Sequence, residues 1–191
     1  MSLKNKLLQN KLTFGSWITI GHNSIVDVMS SAGFDWLVID MEHSSITIDV
    51  AQNLISNINA KNMHSLVRVG ENNALIIKQV MDAGADGVLV PYCEDIDEVK
   101  HCVGKLRTHP LKGEYYENYV NTGDFPSDKT KEYFEKLHKD HIFIMGVESK
   151  PAAENISNMI DSAKIDGVFI GPNDMTTSLG IPNENDNPVY L

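Results

Sequence analysis

At 191 residues the chain is long enough for one domain with a real core, and 42% hydrophobic with 22% charged residues is ordinary for a globular protein and wrong for disorder. A formal charge of −10 without any basic block argues against nucleic acid or an anionic membrane surface as partner. Only Cys93 and Cys102 occur, not in CxxC spacing, and no apolar run nears the roughly 18 residues a membrane helix needs. The start Met1-Ser2-Leu3-Lys4 lacks a signal peptide's apolar stretch, so the expectation is a soluble cytoplasmic chain forming a single domain over 1–191.

Short apolar runs alternate with amphipathic segments. In chain order the pattern predicts helix Lys4–Asn10, strand Phe14–Ile20, helix Ser24–Ala32, strand Trp36–Met41, helix Ile48–Ala60, strand Ser65–Val69, helix Ala74–Ala83 and strand Gly87–Pro91. Helix Ile96–Leu106 follows, then an irregular stretch Thr108–Asp128, helix Lys129–Lys139, strand Ile142–Val147, helix Ala152–Ala163 and strand Gly167–Gly171. Apolar strands spaced by helices predict parallel β/α units buried on both sheet faces. Glycines at Gly33, Gly84 and Gly167 recur between helix and strand, where a left-handed C-cap would turn the chain. The stretch Thr108–Asp128, with Tyr115, Tyr116, Tyr119 and Phe125, reads either as a functional or mobile loop or as a surface that packs on another subunit.

Carboxylates and one arginine mark the strand ends. Glu148 and Asp174 each follow an apolar run, where a parallel β/α protein can place ligands for a hard cation; the alternative is a helix cap or a surface acid. After Trp36–Met41 the chain reads Asp40-Met41-Glu42-His43, and beyond the strand His43 can turn back to meet Asp40, a pairing that suits a general base. Arg68 ends an apolar run, and a buried guanidinium must meet an anion: a substrate carboxylate or developing enolate, or a salt bridge to Glu42 or Glu148. Gly171-Pro172-Asn173-Asp174 resembles a helix start whose free N–H groups could hold a carboxylate, with Asp174 both capping and ligating. The remaining histidines carry no such setting.

These residues, with Gly15-Ser16-Trp17, the run Gly33–His43, Val67-Arg68-Val69, Met81-Asp82-Ala83-Gly84-Ala85-Asp86-Gly87 and Ser178-Leu179-Gly180, resemble the HpcH/HpaI aldolases in order and spacing from about Leu8 to Pro182. The resemblance implies an α/β fold, a TIM-type (β/α) barrel of which about six of eight strands are present here. It further implies metal-dependent retro-aldol cleavage of a 4-hydroxy-2-oxo acid to pyruvate and an aldehyde. Glu148 and Asp174 would hold Mg²⁺, Mn²⁺ or Co²⁺, and Arg68 would sit over the keto oxygen. His43, oriented by Asp40, would be the base, and Asp82 would come from a neighbouring subunit. Substrate contacts would come from Gly171, Pro172, Asn173, Asp174 and Trp17. A homo-oligomer, a hexamer by resemblance, follows in the same way. Three features depart from the family pattern: Gly146 stands where the family carries Gln, no arginine appears in Thr108–Tyr116, and the chain stops roughly two β/α units short of a closed barrel. The alternatives are a citrate-lyase-β-like acyl-CoA lyase and a non-catalytic subunit that keeps metal and pyruvate binding.

Overall fold

The computed structural model describes residues 1–191, apart from the side chain of Ser162. The elements run α1 (Leu3–Leu8), β1 (Gly15–Ile18), α2 (Asn23–Ser31), β2 (Trp36–Asp40), α3 (Ile48–Ala60), β3 (His64–Arg68), α4 (Ala74–Asp82) and β4 (Gly87–Val90). They continue with α5 (Ile96–Thr108), α6 (Glu114–Thr122), α7 (Asp128–Leu137), β5 (Ile142–Val147), α8 (Lys150–Ser162), β6 (Gly167–Ile170) and α9 (Pro172–Ser178). Six strands pair in sequence order, all in parallel. The sheet curls strongly: the Trp17 ring on β1 lies 5.5 Å from the Phe169 ring on β6, across the concave side, although these two strands do not pair.

Strand alternation sorts the side chains into two cores. Outward residues such as Leu37, Ile39, Val67, Val88, Phe143 and Met145 meet the helices in the larger one. Inward residues Val38, Leu66 and Ile142 form the smaller core, with Trp17, Trp36 and Ile144 against it, and Leu3 of α1 closes it from the amino end at 1% exposure. Inside the curl there is little room. A Cβ on Gly87 would stand 2.3 Å from the carbonyl oxygen of Ile142, so β4 and β5 approach each other only because residue 87 has no side chain.

Several expectations need correction. The outward side of β6 is not buried: Val168 and Ile170 are exposed and Ile170 borders a cleft of about 570 Å³ lined also by Val147, Leu179 and Tyr190. Gly33 and Gly84 hold the left-handed conformation predicted for a C-cap, but Gly167 does not; it begins β6 in extended backbone. Thr108–Asp128 is not an irregular loop. Helix α6 occupies its centre, with Tyr116, Tyr119 and Val120 buried, and Tyr119, Phe125, Phe134 and His138 stack in series. These aromatics build a satellite core on α5 and α7 within the chain.

Two histidines also prove structural. His138 Nε2 lies 2.8 Å from the His109 carbonyl, which can only accept, so His138 donates there, and with its ring neutral its Nδ1 accepts from His141 Nδ1 at 3.0 Å. Burial holds His138 below its ordinary value, and burial, then the neighbouring His138, pushes His141 down to about 4, so both rings are neutral near pH 7.

Replacing Gly87 with Ala is expected to destabilise the fold by about 1–3 kcal/mol, the usual cost of forcing a methyl group into a filled interior. Urea unfolding monitored by circular dichroism measures it, and an unchanged midpoint would show that β4 and β5 can move apart freely.

Candidate active site

Strand register brings the charged groups together. Asp40 and Arg68 are paired positions on β2 and β3, both facing the concave side, so the guanidinium meets the carboxylate without reaching. Arg68 Nε donates to Asp40 Oδ1 at 2.9 Å and Nη2 to Oδ2 at 2.5 Å, a bidentate pair with side-chain exposures of 10% and 3%. Beneath it the Trp17 ring carries the guanidinium carbon 4.8 Å from its centroid. Trp17 thus supports Arg68 from below.

Asp40 does more than pair with Arg68. Its Oδ1 accepts the backbone N–H groups of Glu42 (3.0 Å) and His43 (3.1 Å), which folds the chain back at the strand's end and turns Glu42 inward. Burial pushes the Asp40 carboxyl up, but the hydrogen bonds and charge of Arg68 and the two backbone donors outweigh it, leaving Asp40 below the usual carboxylate range. The His43 ring is not held by the Asp40 carboxylate, as the sequence suggests, because Arg68 and the two backbone groups occupy that carboxylate. Instead His43 Nδ1 sits 3.1 Å from Arg68 Nη2. A guanidinium has no acceptor, so Nδ1 accepts and the ring proton resides on Nε2.

Glu42 completes the arginine's surroundings. Its Oε2 lies 3.0 Å from Arg68 Nη1, yet outside the angular range of a hydrogen bond, so a buried carboxylate oxygen has a charge partner and no donor. Burial holds the Glu42 carboxyl above its ordinary value, with Glu148 and Asp40 adding to the rise against the opposing charge of Arg68.

Glu148 follows β5 and is 2% exposed. Its side chain lies against Gly171, where a Cβ would stand 2.8 Å from Glu148 Cγ and 2.9 Å from Oε1, so glycine at the head of α9 makes room for the acid. Glu148 Oε2 accepts the backbone N–H of Tyr92 at 3.1 Å. The Tyr92 phenol in turn donates to Asp174 Oδ1 at 3.4 Å, in the first turn of α9. Burial raises the Glu148 carboxyl and the nearby Asp174 charge adds to it, against the Tyr92 N–H and the more distant Arg68. Asp174 makes no cap bond to α9, and Pro172 and Asn173 spend their carbonyls on Thr176 and Thr177. Tyr92, which joins the two acids, carries no signal in the sequence.

Asp82 stands apart. It ends α4, at the amino end of the sheet, where it pairs with Lys78 (2.6 Å) and His109 (2.7 Å). Within one chain it does not approach the other groups.

Among the described residues no three His, Cys, Asp or Glu side chains are grouped as a ready metal cage. Two carboxylates joined through Tyr92 are nevertheless the kind of donor set that Mg²⁺ or Mn²⁺ accepts. The raised carboxyl of Glu148 and the donor-free oxygen of Glu42 are what a negatively charged pocket looks like before a cation neutralises it. The donors fit such an ion.

The signs of these shifts differ. Asp40, lowered on folding, stabilises the protein above its unfolded pKa, and that contribution is lost as pH falls through its folded value. Glu148, raised on folding, favours the fold while protonated, and this is lost as pH rises through its folded value. In EDTA-treated protein Glu148→Gln is therefore expected to raise the melting temperature at pH 7, with the gain vanishing near pH 4. Equal melting at both pH values would show that the ionised carboxylate carries no burden. Arg68→Leu is expected to cost about 3–5 kcal/mol by leaving Asp40 buried and unpaired; denaturant unfolding gives the value.

Known proteins share this fold. The family model of HpcH/HpaI aldolase/citrate lyase matches residues 13–190. A 2-keto-3-deoxy-L-rhamnonate aldolase of Escherichia coli O1:K1 / APEC is 29% identical over 188 residues, covering 97% of this chain and 69% of the relative. Among solved structures, an HpcH/HpaI aldolase from Desulfitobacterium hafniense DCB-2 superposes with a TM-score of 0.82 at 23% identity, over 100% of this chain and 73% of that one. The citrate synthase SbnG gives 0.81 at 26% identity, over 99% of this chain and 73% of its own. The curled sheet is the TIM-type β/α architecture of these neighbours, and the chain belongs to the HpcH/HpaI aldolase/citrate lyase family of carbon–carbon lyases.

Proposed function

We propose that the chain cleaves a 4-hydroxy-2-oxo acid to pyruvate and an aldehyde with the help of a divalent cation. The observation that carries this reading is convergence: Glu148, Asp174 and a guanidinium beside an imidazole all lie at the carboxyl ends of one parallel sheet. A cation held by Glu148 and Asp174 would offset their repulsion and polarise the keto group of a bound 2-oxo acid.

The chain's own groups divide the remaining work. Arg68 has five N–H donors, of which three are committed to Asp40 and His43 and the Nη1 pair faces Glu42 and the pocket. Turning Nη2 toward the keto oxygen would stabilise the negative charge that develops there and release His43 Nδ1 at the same time. The freed nitrogen, directly or through a water, takes the proton of the C4 hydroxyl as the C3–C4 bond breaks. Substrate binding and base activation are thereby one movement. Asp40 orients Arg68 and the turn carrying His43, so it is a positioning residue here. Backbone groups of Gly171, Pro172, Asn173 and Asp174 border the place the substrate carboxylate would take. A homo-oligomer, a hexamer by family resemblance, would bring Asp82 of another copy toward the aldehyde end.

The curated relatives suggest a 2-keto-3-deoxy sugar acid as the first substrate to try. Likeness to a citrate synthase favours a second reading, in which the same groups stabilise an enolate for bond formation, so condensation is worth assaying too.

Pyruvate release coupled to lactate dehydrogenase is expected with Mg²⁺ or Mn²⁺ and to vanish with EDTA. His43→Ala is expected to lower kcat about 10²–10⁴-fold, the ordinary contribution of a general base, while leaving Mn²⁺ affinity nearly intact. Metal-independent pyruvate release would refute the assignment.

A further inference from the structure

Tyr92 belongs to no helix or strand and matches none of the groups assigned above, yet it touches both proposed ligands. Its backbone N–H reaches Glu148, 56 positions later, and its phenol reaches Asp174, 82 positions later. The residue adopts a left-handed conformation at φ 50°, which is unfavourable for a bulky aromatic, and such outliers persist only where the surroundings dictate them.

The surroundings do so here. The Tyr92 carbonyl accepts Asn72 Nδ2 at 3.1 Å, and the next N–H, that of Cys93, donates to the Gly146 carbonyl at 3.3 Å. Cys93 is fully buried. The turn rests directly on Gly146, where a Cβ would come within 3.0 Å of Pro91 Cα and of the Val90 carbonyl oxygen. Absence of a side chain at residue 146 therefore lets the end of β4 settle onto β5, and this presents the Tyr92 phenol to Asp174. Any residue except proline could supply the N–H for Glu148. Only the hydroxyl explains a tyrosine.

We propose that Tyr92 is a positioning residue that fixes Asp174 relative to Glu148 and so sets the affinity of the site for its divalent cation. This rests on the reading of Glu148 and Asp174 as the metal ligands. Asp174 sits on a seven-residue helix without a cap bond, and the Tyr92 phenol donates to its carboxylate. With Oδ1 engaged, the carboxylate is held in one orientation before the ion arrives. Without the phenol, that ordering must accompany binding. Partners that orient metal ligands are typically worth 10- to 100-fold in metal affinity, and a long bond at a half-exposed ring suggests the lower end.

The test is a Mn²⁺ titration of EDTA-stripped protein, with free ion followed by electron paramagnetic resonance, for wild type, Tyr92→Phe and Glu148→Gln. Tyr92→Phe keeps the ring, the turn and the N–H to Glu148, and circular dichroism melting checks that it folds like wild type. It is expected to weaken Mn²⁺ binding about tenfold. The Mn²⁺ concentration for half-maximal pyruvate release should rise by the same factor, with the plateau falling less than the affinity. Unchanged or tighter Mn²⁺ binding overturns the proposal, as does a lower plateau at unchanged affinity, which would place the phenol on the substrate. Glu148→Gln separates the two ideas: if it binds Mn²⁺ like wild type, the ligand assignment itself fails, whatever Tyr92 does.

Discussion

The pairing of Arg68 with Asp40 is the constraint on which the rest of the site depends. A guanidinium on the concave side of a curled sheet is tolerable only with full ionic partners, and the register of β2 against β3 supplies one at the facing position. That single pairing has several effects. It consumes the carboxylate that would otherwise reach the His43 ring, leaves the imidazole to accept from Arg68, and draws Glu42 inward to an oxygen without a donor. Trp17 and Phe169 below form the apolar floor that keeps the arginine's stem from sinking.

Missing side chains shape the site as much as charged ones. Gly171 accepts the flank of Glu148, Gly146 accepts the turn that carries Tyr92, and Gly87 lets β4 and β5 close up beneath them. Each is a place where a methyl group would collide with backbone or with the acid. The strands approach closely enough to bring groups from β2, β3, β5 and α9 into one pocket because these three positions are bare.

Much of this was legible in the chain itself. Short continuous apolar runs alternating with amphipathic segments mark all six strands, and ends such as Ile142–Val147 fall where expected because the apolar stretch stops at a charged residue. Acids and an arginine at strand ends were visible for the same reason. Helix α6 was hidden because its interior (Tyr, Asn, Glu) is not strongly apolar and its N-cap Gly113 offers no side-chain cap, and its helicity comes from packing Tyr116, Tyr119 and Val120 against α5. Partners 25 or 28 residues apart, such as His43 or Asp40 with Arg68, are decided by strand register, which local pattern does not carry. Tyr92 was hidden too. Nothing in Val-Pro-Tyr-Cys foretells a left-handed turn resting on a glycine in the next strand.

The neutral imidazole pair at the base, His138 with His141, gives the molecule a polarity in its response to acid. A ring whose folded pKa lies well below the unfolded one supports the fold at neutral pH and withdraws that support as pH falls from about 6.5 toward His141's value of about 4. At the opposite rim, Glu42 and Glu148 gain from protons as pH falls through their raised values, because their burial favours the uncharged form. Acid thus withdraws support from the floor while it favours the mouth, and the two poles of one small sheet oppose each other along the pH axis.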